Sequence, residues 1–410
     1  MIIRYAMLYG DHRNSVDLGH STMVASQLLF RELHRARQLS DELFRVVAPD
    51  SMYERPIPER HRILFYLGHL EAFDWNLLAR QTLELPAFQP GFDRLFAFGI
   101  DPASGDLPDD QPSDWPEVAE VERYNQHTRE RIDAVLAQVP EPLLEAAIEH
   151  RLMHAETLAY ILHQLPYERK SPQPATAAPP CPAPEPSMIE IPAGPAQLGL
   201  EPGERFGWDN EYEAHTLDVP AFSIAKYKIT NGDYLEYVRA GGSAPFFWIE
   251  RGGEWFYRGM FAEIRLPLDW PVYVTHRQAE EYARWRGLEL PSEAQFERAV
   301  CGQAPSGNSD FRHWDPVAVT ADDRPADSGL RPAQMRGNGW EWTSTVFAPF
   351  PGFRPFPFYT NYSSPFFDGQ HYVLKGGSPR TAMRLLRLTF RNWFRPSYPY
   401  VYATFRLVAS

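Results

Sequence analysis

Cysteine is scarce: Cys181 and Cys301 are the only two in 410 residues. That excludes a disulfide framework and a cysteine-rich zinc site, and fits a reducing, cytoplasmic setting. No apolar run approaches the roughly 18 residues that a bilayer span needs, so no membrane partner is expected. The apolar part of the first residues, Met1 to Gly10, is too short for a secretory signal. Basic charge is also short, with 40 Lys and Arg against 53 Asp and Glu and a net charge of −13. No basic patch stands out, so a nucleic-acid partner is not expected. The dinucleotide-binding Gly-x-Gly-x-x-Gly, the Walker-A loop and the Gly-x-Ser-x-Gly elbow are all missing.

The length suits two domains, possibly three. The patterning sets their limits: a loosely ordered extension over 1–20, a four-helix bundle over 21–166, a proline-rich linker over 167–187, and an irregular α+β domain over 188–410. Helical spacing of Met23, Leu28, Leu29, Leu33 and Leu43 predicts a first helix over about 22–47. A turn at Pro56 to Pro58 delivers a second, 61–83, with Leu64, Phe65, Phe73 and Leu77 on its apolar face. The prolines and acidic loop of 86–116 predict an irregular crossover. A third helix follows over about 117–139, and a fourth, 143–165, holds no Gly or Pro and runs for about six turns. The linker has Pro at 172, 174, 179, 180, 182, 184 and 186, as in an extended spacer. Beyond it, short runs punctuated by Gly, Pro and Asn imply a domain of few regular elements. The helices expected there are 231–239, 276–286 and one opened by a Ser292/Gln295 capping box.

The fourth helix carries Glu149-His-Arg-Leu-Met-His-Ala-Glu156. His150 and His154 are at i and i+4, so both imidazoles can reach one metal ion. The spacing is common, and two histidines on a polar helix face with no metal also account for it. Glu156 lies six residues past His150, about 120° around the helix, and is better placed to orient an imidazole from another helix than to ligate. On the second helix, Gly68 beside His69 costs roughly 1 kcal/mol against Ala, which suggests that something approaches closely there. A lone His69 is otherwise a satisfied core residue.

Resemblance to known families narrows these alternatives. Lys228-Ile-Thr-Asn-Gly-Asp-Tyr, Trp270-Pro-Val-Tyr-Val-Thr, Leu290-Pro-Ser-Glu-Ala-Gln-Phe-Glu, Gly337-Asn-Gly-Trp-Glu-Trp-Thr and Leu374-Lys-Gly-Gly-Ser resemble the formylglycine-generating-enzyme fold, C-type-lectin-like, from about 188 to 408. Those enzymes depend on a cysteine pair near the C-terminal end. Here no cysteine follows Cys301, which argues against that activity. A DinB-type four-helix bundle with His-x-x-x-His-x-Glu ahead of such a domain resembles the sulfoxide synthases of ergothioneine biosynthesis and their ovothiol and selenoneine relatives.

The resemblance implies an α+β chain with a DinB-like bundle first. It implies Fe(II) held by His69, His150 and His154, and an oxidoreductase that uses O2 to join a thiol sulfur to the imidazole ring of a histidine derivative such as hercynine, giving a sulfoxide. A selenol donor with C–Se bond formation, oxidation of a thiol alone, or a non-catalytic ligand-binding module are the alternatives. It implies further that Tyr359, in Tyr359-Thr-Asn-Tyr362-Ser-Ser-Pro-Phe-Phe, donates a proton, with Tyr362 beside it. Arg391-Asn392-Trp393 lies where the family contacts the trimethylated amino acid, and a Trp face suits a quaternary ammonium. Phe394 stands where the family often has Asp. Within the crossover, the stretch 99–110 offers Asp101, Asp106, Asp109 and Asp110 but no Arg, so a donor with two free carboxylates, such as γ-glutamylcysteine, is expected to be disfavoured.

Overall fold

The structure, a computed structural model, describes residues 18–99, 107–171, 181–321 and 331–409, with side chains from residue 26. Residues 1–17 of the expected extension, Asp101, Asp106 and residues 172–180 of the proline-rich linker lie outside these. The chain divides into two compact units between Gln173 and Pro174. Among the described residues no helix is long and apolar enough to cross a membrane.

The first unit is helical. Helix α1 (Leu18–Phe44) takes in residues 18–20, which the sequence reading assigns to the extension. Helix α2 (Ile63–Asp74) continues as a π-helical stretch, Trp75–Gln81. The crossover is not irregular throughout. It contains α3 (Pro90–Phe98), a short helix with proline in its first turn and Gly99 at its end. Helix α4 (Val118–Asp133) stops earlier than expected, giving way to a 3-10 turn, Leu136–Gln138. Helix α5 (Glu141–His163) is buried along most of its length. It packs along α1 and against α2, and α2 also packs on α3 and α4. Residues 167–171, expected in the linker, close this unit instead. Ala48 N–H donates to the Arg169 carbonyl at 3.0 Å, and Ser171 N–H to that of Val46 at 2.7 Å.

The second unit is an irregular α+β fold of small sheets. Strands β1 (Met188–Ile191), β4 (Phe222–Ala225) and β12 (Val408–Ala409) make one sheet, and β2 (Gly194–Leu198) pairs with β3 (His215–Val219). Strands β5 (Trp248–Arg251), β6 (Glu254–Arg258) and β7 (Glu263–Arg265) form a meander. The fourth sheet runs β10 (Asn392–Phe394), β9 (Tyr372–Lys375), β8 (Trp340–Val346), β11 (Ala403–Thr404). Its edge strand β10 sets Trp393 opposite Val373. Helices α6 (Asn231–Arg239), α7 (His276–Arg286) and α8 (Glu293–Val300) are the three expected, and each opens on a capping box. In α8 the Ser292 hydroxyl accepts from Gln295 N–H at 3.1 Å, and the Gln295 side chain accepts from Ser292 N–H at 2.8 Å. Phe296 of α8 joins Leu198, Val219, Ile224 and Met335 in a core. Buried ion pairs, Lys228 and Arg406 on Glu341 and Arg391 on Glu293, tie loops to this core where long elements are missing.

Candidate metal centre

In the first unit His69 comes from α2, and His150 and His154 come from successive turns of α5. One ring nitrogen from each lies within 4.8 Å of the other two. Ring centroids are 5.3 Å apart for His69 and His150, 4.8 Å for His69 and His154, and 4.5 Å for His150 and His154. Among the described residues this is the one cluster of three or more His, Cys, Asp or Glu able to hold an ion.

The packing holds each ring. Phe73, one turn beyond His69 on α2, lies flat on the His150 imidazole at 3.4 Å and 8°. Phe65, one turn before, stacks on His69 at 4.8 Å. Nδ1 of His69 is 2.7 Å from the carbonyl oxygen of Phe96 on α3. A carbonyl only accepts, so Nδ1 carries the proton and Nε2 keeps a lone pair for a ligand. Glu156 was expected to orient an imidazole from another helix. At His69 that acceptor is the Phe96 carbonyl, and Glu156 is buried further along α5.

Gly68 accounts for the approach. A Cβ there would lie 2.4 Å from the Phe96 ring. The absence of a side chain lets α3 settle on α2 closely enough to bring the Phe96 carbonyl to His69. The close approach read from Gly68 is therefore real, and its agent is a helix missed in the crossover. Proline in the first turn and Gly99 at the end were its signals. Gly91 and the surrounding prolines obscured them.

The register of α2 against α5 is set by charge. Arg151 follows His150 and is fully buried. Its guanidinium donates to Glu71 at 2.9 Å, to Asp74 at 2.7 Å and to the Leu70 carbonyl at 3.1 Å. Arg129 of α4 reaches Glu71 at 2.7 Å and Asp41 of α1 at 2.7 Å. Burial alone would raise the Glu71 carboxyl, but Arg151 and Arg129 outweigh it and hold the group down at about 2. The ion pairs thus clamp the two ligand-bearing helices at the level of the histidines.

All three imidazoles are neutral at ordinary pH. Burial pushes His69 down to about 4, against the raising effect of the Phe96 carbonyl. Burial, and then the neighbouring imidazoles, hold His150 and His154 well below the usual histidine range. Nδ1 of His154 is buried without a hydrogen bond among the described residues. Removing lone pairs from water without a partner is costly, and a metal ion would satisfy them. The donor set therefore fits a divalent transition metal with open positions.

The crossover carboxylates are not a uniform negative loop. Asp110 is buried and held by Arg55, by Arg62 at 2.7 Å and by the Trp115 indole at 2.6 Å. Only Asp109 remains as an exposed acid among the described positions of that group. The expected rejection of dianionic donors loses Asp110, because partners about 50 residues upstream neutralise it.

In the second unit Tyr359, Tyr362 and Trp393 come together. Tyr362 is 5.6 Å from Tyr359 and meets the edge of Trp393 at 5.4 Å. One face of Trp393 is covered by Phe347, at 4.3 Å and 6°. The Asn392 amide oxygen accepts from Trp393 N–H at 2.9 Å. Arg391 is buried on Glu293, a structural ion pair. Burial raises the Tyr359 phenol, which therefore keeps its proton at neutral pH. Trp208, stacked on Tyr362 at 4.2 Å, was not singled out from the sequence.

Comparison with known proteins agrees with this two-part construction. Residues 32–167 match the DinB superfamily, and residues 174–410 match the sulfatase-modifying factor enzyme 1-like domain. The hercynine oxygenase of Mycolicibacterium smegmatis is 31% identical over 94% of this chain and 99% of its own length. The hercynine oxygenase of Mycobacterium tuberculosis is 35% identical over 48% of this chain and 55% of its own. Ergothioneine biosynthesis protein 1 of Schizosaccharomyces pombe is 28% identical over 88% of this chain and 53% of its own. The chain belongs to the family of DinB and sulfatase-modifying-factor-like proteins that includes the hercynine oxygenases.

Proposed function

We infer that the protein is an O2- and Fe(II)-dependent oxidoreductase that forms a sulfoxide from a thiol and a histidine derivative such as hercynine. The observation that carries this reading is the cluster of three neutral imidazoles, His150 buried and His69 and His154 half-buried, in a chain matched along nearly its whole length by a hercynine oxygenase. The reaction balances as a four-electron oxidation. The thiol S–H and an imidazole C–H are lost and a C–S bond forms. One oxygen atom enters as S=O, and the other leaves as water with the two hydrogens.

His69 through Nε2, with His150 and His154, would hold the iron and leave its other positions to reactants. Iron bound there supplies activation of O2 and a common point of attachment for sulfur and imidazole. The protein's own part is positioning: Phe73 and Phe65 fix the rings, Phe96 fixes the His69 tautomer, and Arg151 fixes the helix register. Tyr359, protonated at neutral pH, serves as proton donor. Tyr362, Asn392 and Trp393 bind the histidine derivative, with the aromatic rings suited to a trimethylammonium group. Glu156 remains a supporting residue of α5.

Anaerobic reconstitution with Fe(II) tests this. Hercynine and histidine are then offered with cysteine, γ-glutamylcysteine and a selenol under O2, and products are read by mass spectrometry. A ring-carbon sulfoxide formed from hercynine is the expected product. A thiol-derived sulfinate as the main product, or no oxidation at all, overturns the reading.

A further inference from the structure

The loop carrying Tyr359 is tied to one buried turn at Ser363 and packs against that turn's neighbours at Phe356. The turn is the 3-10 segment Asp209–Glu211, preceded by Trp208, and Trp208, Asp209, Asn210 and Ser363 are all buried. The Ser363 hydroxyl donates to the Asp209 carboxylate and accepts from the Asn210 amide at 2.9 Å. On the other side of Tyr359, the Phe356 ring packs against Phe206 and Tyr212, which flank the same turn, each at 6.3 Å. Between these anchors the chain folds into consecutive turns. Tyr359 N–H donates to the Phe356 carbonyl at 3.1 Å, and Tyr362 N–H to the Tyr359 carbonyl at 3.2 Å. Trp208 supports the loop from beneath, stacked on Tyr362 and 6.4 Å from the Tyr359 ring.

The same turn reaches the strand expected to hold the trimethylated amino acid. The Asn210 carbonyl accepts from Arg391 at 3.2 Å, one residue before Asn392 and Trp393. Glu211 is held by Arg387 at 2.8 Å and by the Thr389 hydroxyl at 2.6 Å. A single buried turn therefore touches the proton-donor loop and the approach to β10. A carboxylate without a cationic partner is an expensive anchor, and burial lifts Asp209 to about 6. Such a cost is characteristic of a group retained for placement rather than for stability.

We propose that Asp209 is a positioning residue for the reaction: through Ser363 it fixes the loop that places the Tyr359 hydroxyl. This rests on the reading of Tyr359 as proton donor. The experiment compares Tyr359→Phe, Ser363→Ala, Asp209→Ala and Asp209→Asn for kcat, iron content and the ratio of sulfoxide to thiol-derived sulfinate. A general loss of folded protein lowers rate without changing that ratio, whereas a displaced proton donor changes it. Ser363→Ala and Asp209→Ala are expected to keep their iron, lose about tenfold or more in kcat, and shift the ratio toward sulfinate as Tyr359→Phe does. Asp209→Asn keeps an oxygen to accept from Ser363 and should restore most of the rate and the ratio. If Asp209→Ala does not fold, Ser363→Ala, which loses one hydroxyl, decides the matter. A shifted ratio in Tyr359→Phe with an unchanged ratio in Ser363→Ala overturns the proposal for Asp209. An unchanged ratio in Tyr359→Phe itself overturns the reading of Tyr359, and with it this one.

Discussion

Nδ1 of His69 donates to the carbonyl oxygen of Phe96 at 2.7 Å, joining a proposed ligand on α2 to the backbone of α3. The contact exists because Gly68 has no side chain to keep the Phe96 ring away. Gly68→Ala should therefore act on both stability and metal binding. Overpacking costs about 1–3 kcal/mol, against a helix-propensity gain of about 1 kcal/mol. Displacing the orienting carbonyl should weaken metal affinity by about 10- to 100-fold. Thermal unfolding and metal titration check this; an unchanged affinity would mean that the Phe96 carbonyl does not orient His69.

Arg151 should be more costly to lose than its distance from solvent suggests. Arg151→Met leaves Glu71 and Asp74 buried without their shared cation, at a cost of about 3–5 kcal/mol. Arg151→Lys should recover only part of this, because one ammonium cannot reproduce the fork that holds both carboxylates and the Leu70 carbonyl. Denaturant midpoints of the two variants provide the measure, and a midpoint for Arg151→Met equal to that of the parent would refute the clamp.

Tyr359→Phe removes the phenolic proton and little else. C–S bond formation should slow, or the products should shift toward thiol dioxygenation, with iron content unchanged. Equal rate and equal product ratio would reduce Tyr359 to packing.

Asp209 makes a pH prediction of definite sign. Its carboxyl is near 6 when folded and near 3.8 when unfolded. Between these values the folded chain binds more protons than the unfolded one, so this group's contribution to stability declines as pH rises from about 4 to about 6 and then levels. The difference in stability between the parent and Asp209→Asn should change across that window in the direction of relative loss for the parent. A flat difference would show that Asp209 is ionised throughout.

The parts of this site that depend on spacing along one helix were legible in the sequence. His150 and His154 fall on one face by helical period alone, and Ser292 with Gln295 marks the start of α8. What joins distant segments was not. The acceptor at His69 is a backbone carbonyl, and a carbonyl has no residue-type signature. Asp110 reads as one acid in an acidic loop, and only folding shows it between Arg55 and Arg62. The tie between Ser363 and Asp209 spans 154 residues, and neither side chain is unusual in its local context. Assignment of the metal needed family resemblance as well, since His-x-x-x-His suits several ions.

Iron content and product, measured on the same preparations of the parent and His150→Ala, test the central claim most directly. The parent, reconstituted anaerobically, should hold about one Fe per chain and convert hercynine and a thiol to the sulfoxide under O2. His150→Ala should lose most of the iron and the product together. Iron remaining near one per chain in His150→Ala, with the sulfoxide still formed, would contradict the assignment of this three-histidine cluster as the reaction centre.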